Sequence, residues 1–305
     1  MSGVIEVEKL EKRYGLIQAV SGLSFQVQPG EVVGFLGPNG AGKSTTMRIL
    51  AGSLGATSGV ARVAGFDVFE SPEEAKLRLG YLPEVPPLYG EMTTRDYLAF
   101  AARVKGVRHP GEAVERVMGQ VGVQSVADRL IDHLSKGYRQ RVGLAQALVH
   151  DPEVLILDEP MSGLDPAQQA EIRGLIQSLA EGQRTVILST HSLAQVEAIC
   201  QRAIIINEGR IVADLPLNKS ELASGTVSVH VERVEPTLIE ELKAVEGVSD
   251  VRETGENRLK VEVVRDVRGA IATVAASYGL LELAGRERLE SIYLKVTSGR
   301  TVGEA

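Results

Sequence analysis

Glu31-Val-Val-Gly-Phe-Leu-Gly37-Pro-Asn-Gly-Ala-Gly-Lys-Ser-Thr45 starts as an apolar run and breaks into glycines before a lysine and two hydroxyls. The first six residues read as a buried strand. Gly37, Gly40 and Gly42 allow backbone conformations in which several N–H groups point inward together, which is how a loop holds a dense polyanion. Lys43 supplies a point charge between terminal phosphates, and the Ser44 hydroxyl suits Mg²⁺. A helix is expected from about Gly42 to Leu54, adding its N-terminal partial charge to the same site. A glycine turn without a ligand would need neither the lysine nor the paired hydroxyls between a strand and a helix.

Outward from this loop, Val154-Leu-Ile-Leu-Asp-Glu159 is a second strand that ends in two carboxylates. Asp158 is placed to hold Mg²⁺ through water, and Glu159 to act as general base on an attacking water. Thr185–Thr190 is a third buried run, and it delivers His191 to the same sheet edge, where a histidine can hydrogen-bond the γ-phosphate or the water. Taken alone, an acidic turn or a histidine at a helix start would be unremarkable; behind a phosphate loop, both acquire a task. His109, His133, His150 and His230 stand in no comparable context.

The 305 residues are enough for two units, and 44% hydrophobic residues suffice for sizeable cores. Only 4% are aromatic, none is Trp, and the net charge is -7. This argues against a single-stranded nucleic-acid platform or a broad phosphate-backbone face. Cys200, the sole cysteine, excludes an internal disulfide and a cysteine-based zinc site, and fits a reducing compartment. Charges interleave from Glu6 onward, and no apolar run nears the roughly 20 residues of a membrane span. Were the protein to work at a membrane, another chain would have to supply the membrane part.

From Val4 to about Leu82, strand-like runs alternate with glycine turns. From about residue 88 to 150 the period becomes helical: Thr93 or Thr94 caps Arg95–Lys105, and Glu112–Val121 closes at Gly122. Asp165-Pro166 starts a helix that ends at Gly182. The core ends near Leu215. After Ser224-Gly225 the pattern is strand (Thr226–Glu232), helix (Pro236–Val245), strands (Val248–Glu253, Arg258–Val264), helix (Val267–Tyr278) and strand (Leu280–Ala284), a ferredoxin-like βαββαβ order. Arg288–Val296 reads as a closing helix.

Leu134-Ser-Lys-Gly-Tyr-Arg-Gln-Arg141, ahead of the acidic strand, resembles the LSGGQ signature of the ATP-binding cassette family. With the phosphate loop, Asp158-Glu159, Ser162-Gly-Leu-Asp165 and His191 in order, the resemblance covers about residues 4–220. It implies an α/β P-loop NTPase (RecA-like) core, residues 1–220, carrying an inserted helical subdomain of about 88–150. A small C-terminal α+β domain, 226–298, follows, as in bacterial exporter-type cassettes. It implies that ATP is bound by Gly37, Asn39, Gly40, Ala41, Gly42, Lys43, Ser44 and Thr45, with the ring of Tyr14 on adenine and Ser135, Lys136 and Gly137 acting in trans. Lys43, Glu159 and His191 are the implied catalytic residues, Ser44, Asp158 and Glu84 the Mg²⁺ contacts, and Asp165 an interface residue of the dimer. Ser135 also suits a helix cap, and Gly137 a close backbone approach.

Two departures stand out. Lys136 and Tyr138 occupy the family's first glycine and its glutamine, and Glu84 stands where glutamine is usual. Lys136 either adds charge toward the trans phosphate or faces solvent. Glu84 keeps an oxygen ligand but adds charge. The proline-rich segment Pro83–Gly90 joins the site to the helical insert, and the surface around it is implied to receive a helix of the membrane subunit. The implied function is the ATP-hydrolysing motor of an exporter. Its partners are a separate transmembrane permease and a second cassette, identical or different, with no nucleic acid. Its location is the cytoplasmic face of the inner membrane. Two readings compete: a soluble cassette protein acting on DNA or ribosomes, and a nucleotide-binding regulator that does not turn over. Glu159 and His191 argue against the second.

Overall fold

The computed structural model describes residues 3–181, 184–217, 225–255 and 257–297. The chain divides into two units, Met1–Leu215 and Pro216–Ala305.

The first unit begins with β1 (Ile5–Tyr14) and β2 (Ile17–Val27), an antiparallel pair whose inward positions Ile5, Val7, Leu10, Val20, Leu23 and Val27 are fully buried. β3 (Val32–Leu36) is buried at all five positions, as expected of a central strand covered on both faces. It leads into α1 (Lys43–Leu50). β4 (Ser58–Val63) and β5 (Phe66–Asp67) return to the first pair, giving a four-stranded sheet of order β2-β1-β4-β5. After α2 (Pro72–Arg78) and β6 (Leu79–Leu82) come α3 (Thr94–Val104), α4 (Pro110–Val121) and α5 (Lys136–Leu148), which pack on one another. β7 (Val154–Asp158), α6 (Pro166–Glu181), β8 (Thr185–Thr190), α7 (Leu193–Ile199), β9 (Arg202–Asn207) and β10 (Arg210–Pro216) complete a six-stranded sheet of order β10-β9-β3-β8-β7-β6.

The two sheets share one core. α1 touches β2 and β4 of the first sheet and β7 and β8 of the second. Its buried Met47, Ile49 and Leu50 lie in the same cluster as Phe25 and Phe35, whose rings are 5.7 Å apart. Each such side chain contributes about 1.5–3 kcal/mol on burial, so the helix behind the phosphate loop is clamped from both sides.

Helix limits follow local chemistry. The Thr93 hydroxyl caps α3 by accepting from the Asp96 N–H, and Gly122 in a left-handed conformation ends α4. α1 ends at Leu50, not at the expected Leu54. Gly52 has φ +60°, its N–H donates to Ile49 O at 2.9 Å, and the Ser53 N–H reaches Arg48 O at 3.0 Å. This closure turns the chain out of the helix. The Gly182 stop and the Ser224 boundary lie outside the described residues.

In the second unit β11 (Gly225–Val231), α8 (Pro236–Ala244), β12 (Val248–Gly255), β13 (Arg258–Val263), α9 (Arg268–Ala276) and β14 (Leu280–Glu287) follow one another, and α10 (Arg288–Thr297) closes the described chain. The antiparallel order β12-β13-β11-β14 is that of a ferredoxin-like sheet. Alternate residues Val227, Val229 and Val231, facing Leu259, Val261 and Val263, form its core with Leu238, Leu242, Ile271 and Ala275 of the helices.

Candidate active site

The parallel pairing of β3, β6, β7 and β8 brings four chain reversals to one sheet edge. Leu36 lies beside Thr190, Asp158 beside Ser189, and Leu82 beside Leu157. The residues that follow each strand end therefore meet at the C-terminal edge, where open α/β sheets hold their ligands.

The phosphate loop leaves β3 at Gly37. Gly42 caps α1 with φ +103°, a conformation that L side chains rarely adopt. Lys43 is buried, with its ammonium donating to the carbonyls of Gly37 at 2.8 Å and Pro38 at 3.1 Å. It lies 3.7 Å from Glu159 Oε1. Burial lowers the lysine's pKa, while the carboxylates of Glu159 and Asp158 oppose that shift.

The Ser44 hydroxyl donates to Asp158 Oδ1 at 3.1 Å, and the Ser189 hydroxyl donates to the same oxygen. Burial raises the Asp158 pKa, and these two hydroxyls hold it back. Glu159 is buried and has φ +48°, a strained value for a side-chain-bearing residue. Its N–H is anchored on Ser189, 3.1 Å from the carbonyl and 3.2 Å from the hydroxyl. His191 Nδ1 lies 3.0 and 3.1 Å from the two Glu159 oxygens. The Ser162 hydroxyl donates to Glu84 Oε1 at 3.3 Å. Asn39, Lys43, Thr45, Glu84, Glu159 and His191 border a cleft of about 390 Å³.

A buried cation at the end of a glycine loop and a strained carboxylate gripped by histidine suit the hydrolysis of a phosphoanhydride. The ABC transporter family model matches residues 20–162. The bacitracin transport ATP-binding protein BcrA of Bacillus licheniformis is 40% identical over 219 residues, 72% of this chain and 71% of that protein. The linearmycin resistance ATP-binding protein LnrL of Bacillus subtilis is 33% identical over 98% of this chain and 99% of its own length. This chain belongs to the ABC transporter family. As an ATP-binding subunit of that family it binds ATP and hydrolyses it. Among solved structures, cbiO1 from Clostridium perfringens, part of the ABC transporter complex cbiONQ, is 27% identical with a TM-score of 0.64. That match covers 71% of this chain and 90% of that one.

Several residues of this ABC subunit do not border the cleft. Tyr14, at the end of β1, is half exposed, with the Lys12 ammonium 5.2 Å from its ring centre. Ser135, Lys136 and Gly137 lie at the N-terminus of α5. The Ser135 hydroxyl caps that helix by accepting from the Tyr138 N–H at 3.3 Å. A Cβ on Gly137 would stand 2.9 Å from the Gln168 side chain. The exposed Lys136 extends along Gly163 of the loop ending at Asp165, whose Oδ1 caps α6 by accepting from the Gln168 N–H at 2.9 Å.

Ser189 is the functional position that sequence reasoning passed over. It binds both acidic residues, yet its only sequence signal is one of three hydroxyls in the buried run Thr185–Thr190. Ala19, which also borders the cleft, carries no signal.

Proposed function

We propose that this chain is the motor of an ABC exporter, in which two cassettes enclose two ATP molecules and drive a separate transmembrane permease from the cytoplasmic face of the inner membrane. One observation carries the catalytic part: Glu159 is held between Lys43 and His191 with its backbone strained and its amide anchored. In this reading Glu159 accepts the proton of the attacking water, and His191 keeps the carboxylate aimed. Lys43 exchanges the Gly37 and Pro38 carbonyls for phosphate oxygens, which Gly37, Asn39, Gly40, Ala41, Gly42, Ser44 and Thr45 also cradle. Tyr14 stacks on adenine. Ser135, Lys136 and Gly137 complete the site from the partner cassette, and Asp165 lies at that interface.

The hydroxyl of Ser44 and the carboxylate of Asp158, 3.1 Å apart, are hard oxygen donors, and Glu84 adds a third at the same cleft. This set fits Mg²⁺. When bound, the ion neutralises charge on the phosphate oxygens.

The permease is expected over Pro83–Gly90, the loop whose Glu84 borders the cleft. Among the described residues no helix is long and apolar enough to cross a membrane, which supports a permease on another chain. The names of BcrA and LnrL, a transport and a resistance protein, support the export reading. LnrL aligns over nearly the whole chain, so the C-terminal unit is read as a standing accessory domain that steadies the dimer. Replacing Glu159 by Gln should lower the ATPase kcat about 10²- to 10⁴-fold while leaving ATP affinity within about threefold. Turnover within about tenfold of the parent protein would remove Glu159 from the role of base.

A further inference from the structure

The hairpin of β1 and β2 is tied to the nucleotide cleft by an irregularity. The two strands stay in register to Lys12 opposite Val20, and then Arg13 faces Gln18, so Ala19 is an extra residue on β2. Such a bulge bends its strand. Ala19 borders the cleft, and a Cβ on Gly42 of the phosphate loop would meet its carbonyl oxygen at 2.4 Å. Beyond the bulge Tyr14 pairs with Ile17 and closes the hairpin.

The Tyr14 side chain is half exposed. Among the described residues its hydroxyl makes no hydrogen bond, and the group that lies over its ring is the ammonium of Lys12, 5.2 Å from the centre. That ammonium is itself fixed, because it donates to the Gly55 carbonyl at 2.6 Å. The same loop holds the strand. The Thr57 N–H donates to Glu11 O at 2.8 Å, and the Arg13 N–H donates to Thr57 Oγ1 at 3.0 Å. Gly55 belongs to the segment that leaves α1, the helix that carries the phosphate loop at its other end. The neighbouring Arg13 guanidinium is directed elsewhere, onto Gln18 Oε1.

An ammonium over one face of a tyrosine is drawn by the negative density of the ring and leaves the opposite face for a flat ligand. Two aromatic faces stacked squarely repel, since both carry that density. A cation behind one of them offsets the repulsion. A ring oriented in advance also loses less freedom when a base settles on it. We propose that Lys12 is a positioning residue for the nucleotide, holding the Tyr14 ring from behind so that adenine stacks on a face already oriented and polarised. The inference rests on Tyr14 as the adenine platform and adds the residue that makes the platform rigid.

The test is titration calorimetry of the full chain at fixed Mg²⁺ with two ligands, ADP and inorganic pyrophosphate, which lacks the base. Lys12→Met should raise the dissociation constant for ADP about 3- to 5-fold, the scale of an exposed cation–ring contact, and leave that for pyrophosphate unchanged. Lys12→Arg, which keeps a cation over the ring, should restore ADP binding. In a Tyr14→Ala background Lys12→Met should have no further effect on ADP. Unchanged ADP binding by Lys12→Met, an equal loss for ADP and pyrophosphate, or the same loss with and without the Tyr14 ring would overturn the assignment. In each of those cases Tyr14→Ala alone, weakening ADP but not pyrophosphate, would show that the adenine platform stands. If Tyr14→Ala leaves ADP binding unchanged, the platform reading fails, and the role of Lys12 with it.

Discussion

Replacing Gly42 by Ala places a methyl group where the phosphate loop has no room. The added Cβ would lie 2.4 Å from the Ala19 carbonyl oxygen, about 1 Å inside ordinary van der Waals contact, and φ is +103°. Backbone strain of this kind costs about 1–3 kcal/mol, and overpacking against main chain a similar amount, for about 2–6 kcal/mol together. The empty loop can escape most of this by relaxing, since its glycines line an open cleft. ATP binding cannot, because the phosphates require the original amide directions. The dissociation constant for ATP should therefore rise at least about 30-fold, corresponding to about 2 kcal/mol. Titration calorimetry of the full chain at fixed Mg²⁺ measures this, with thermal unfolding as a check that the sheet survives. A variant that binds within about threefold of the parent would show that the loop does not need this backbone conformation, and the reasoning would be wrong.

Two further outcomes follow from buried groups. His150 Nε2 lies 3.1 Å from Leu79 O, and burial, followed by the charge of Lys105, lowers its pKa to about 4. The unfolded chain takes up this proton near pH 6.5 and the folded one does not until about 4, so stability present above about 6.5 is lost as pH falls, by up to about 3 kcal/mol. Denaturant melts of the parent and His150→Asn at pH 7 and 4.5 should show that difference; parallel pH dependence would contradict it. Removing the Ser189 hydroxyl, by Ser189→Ala, takes away a donor to Asp158 and should raise the Mg²⁺ needed for half-maximal ATPase activity about 10- to 100-fold. An unchanged Mg²⁺ titration would assign Ser189 to packing alone.

The chemistry readable from sequence is the chemistry that sits next to a strand end. Asp158, Glu159 and His191 stand at the ends of strand-like runs, and Lys43 follows β3 by one glycine loop, so one parallel sheet suffices to bring them together. Ser189 was not legible because its role depends on pairing across strands, Asp158 beside Ser189, which no local pattern encodes. The N-terminal antiparallel sheet was hidden for a related reason. Apolar runs such as Val60–Ala64 and Glu31–Leu36 look alike, but one joins β1 and the other β8 and β9. The early end of α1 was written in Gly52, which a helical period tolerates and a left-handed closure uses. The contact of Tyr89 with Tyr97 and Phe100 joins a loop to a helix, which only the fold supplies. In the second unit, strict alternation in β11 and β13 made the strands plain, while β14 ran three residues past the expected Ala284.

The central claim is that two cassettes close on ATP, with Ser135 of one completing the site of the other. It is tested most directly by the mass in solution of Glu159→Gln, with and without ATP. The expected result is a single chain without nucleotide, twice that mass with ATP, and return to a single chain when Ser135→Arg is added. A single chain throughout, with ATP bound, or a dimer indifferent to ATP and to Ser135→Arg, would contradict it.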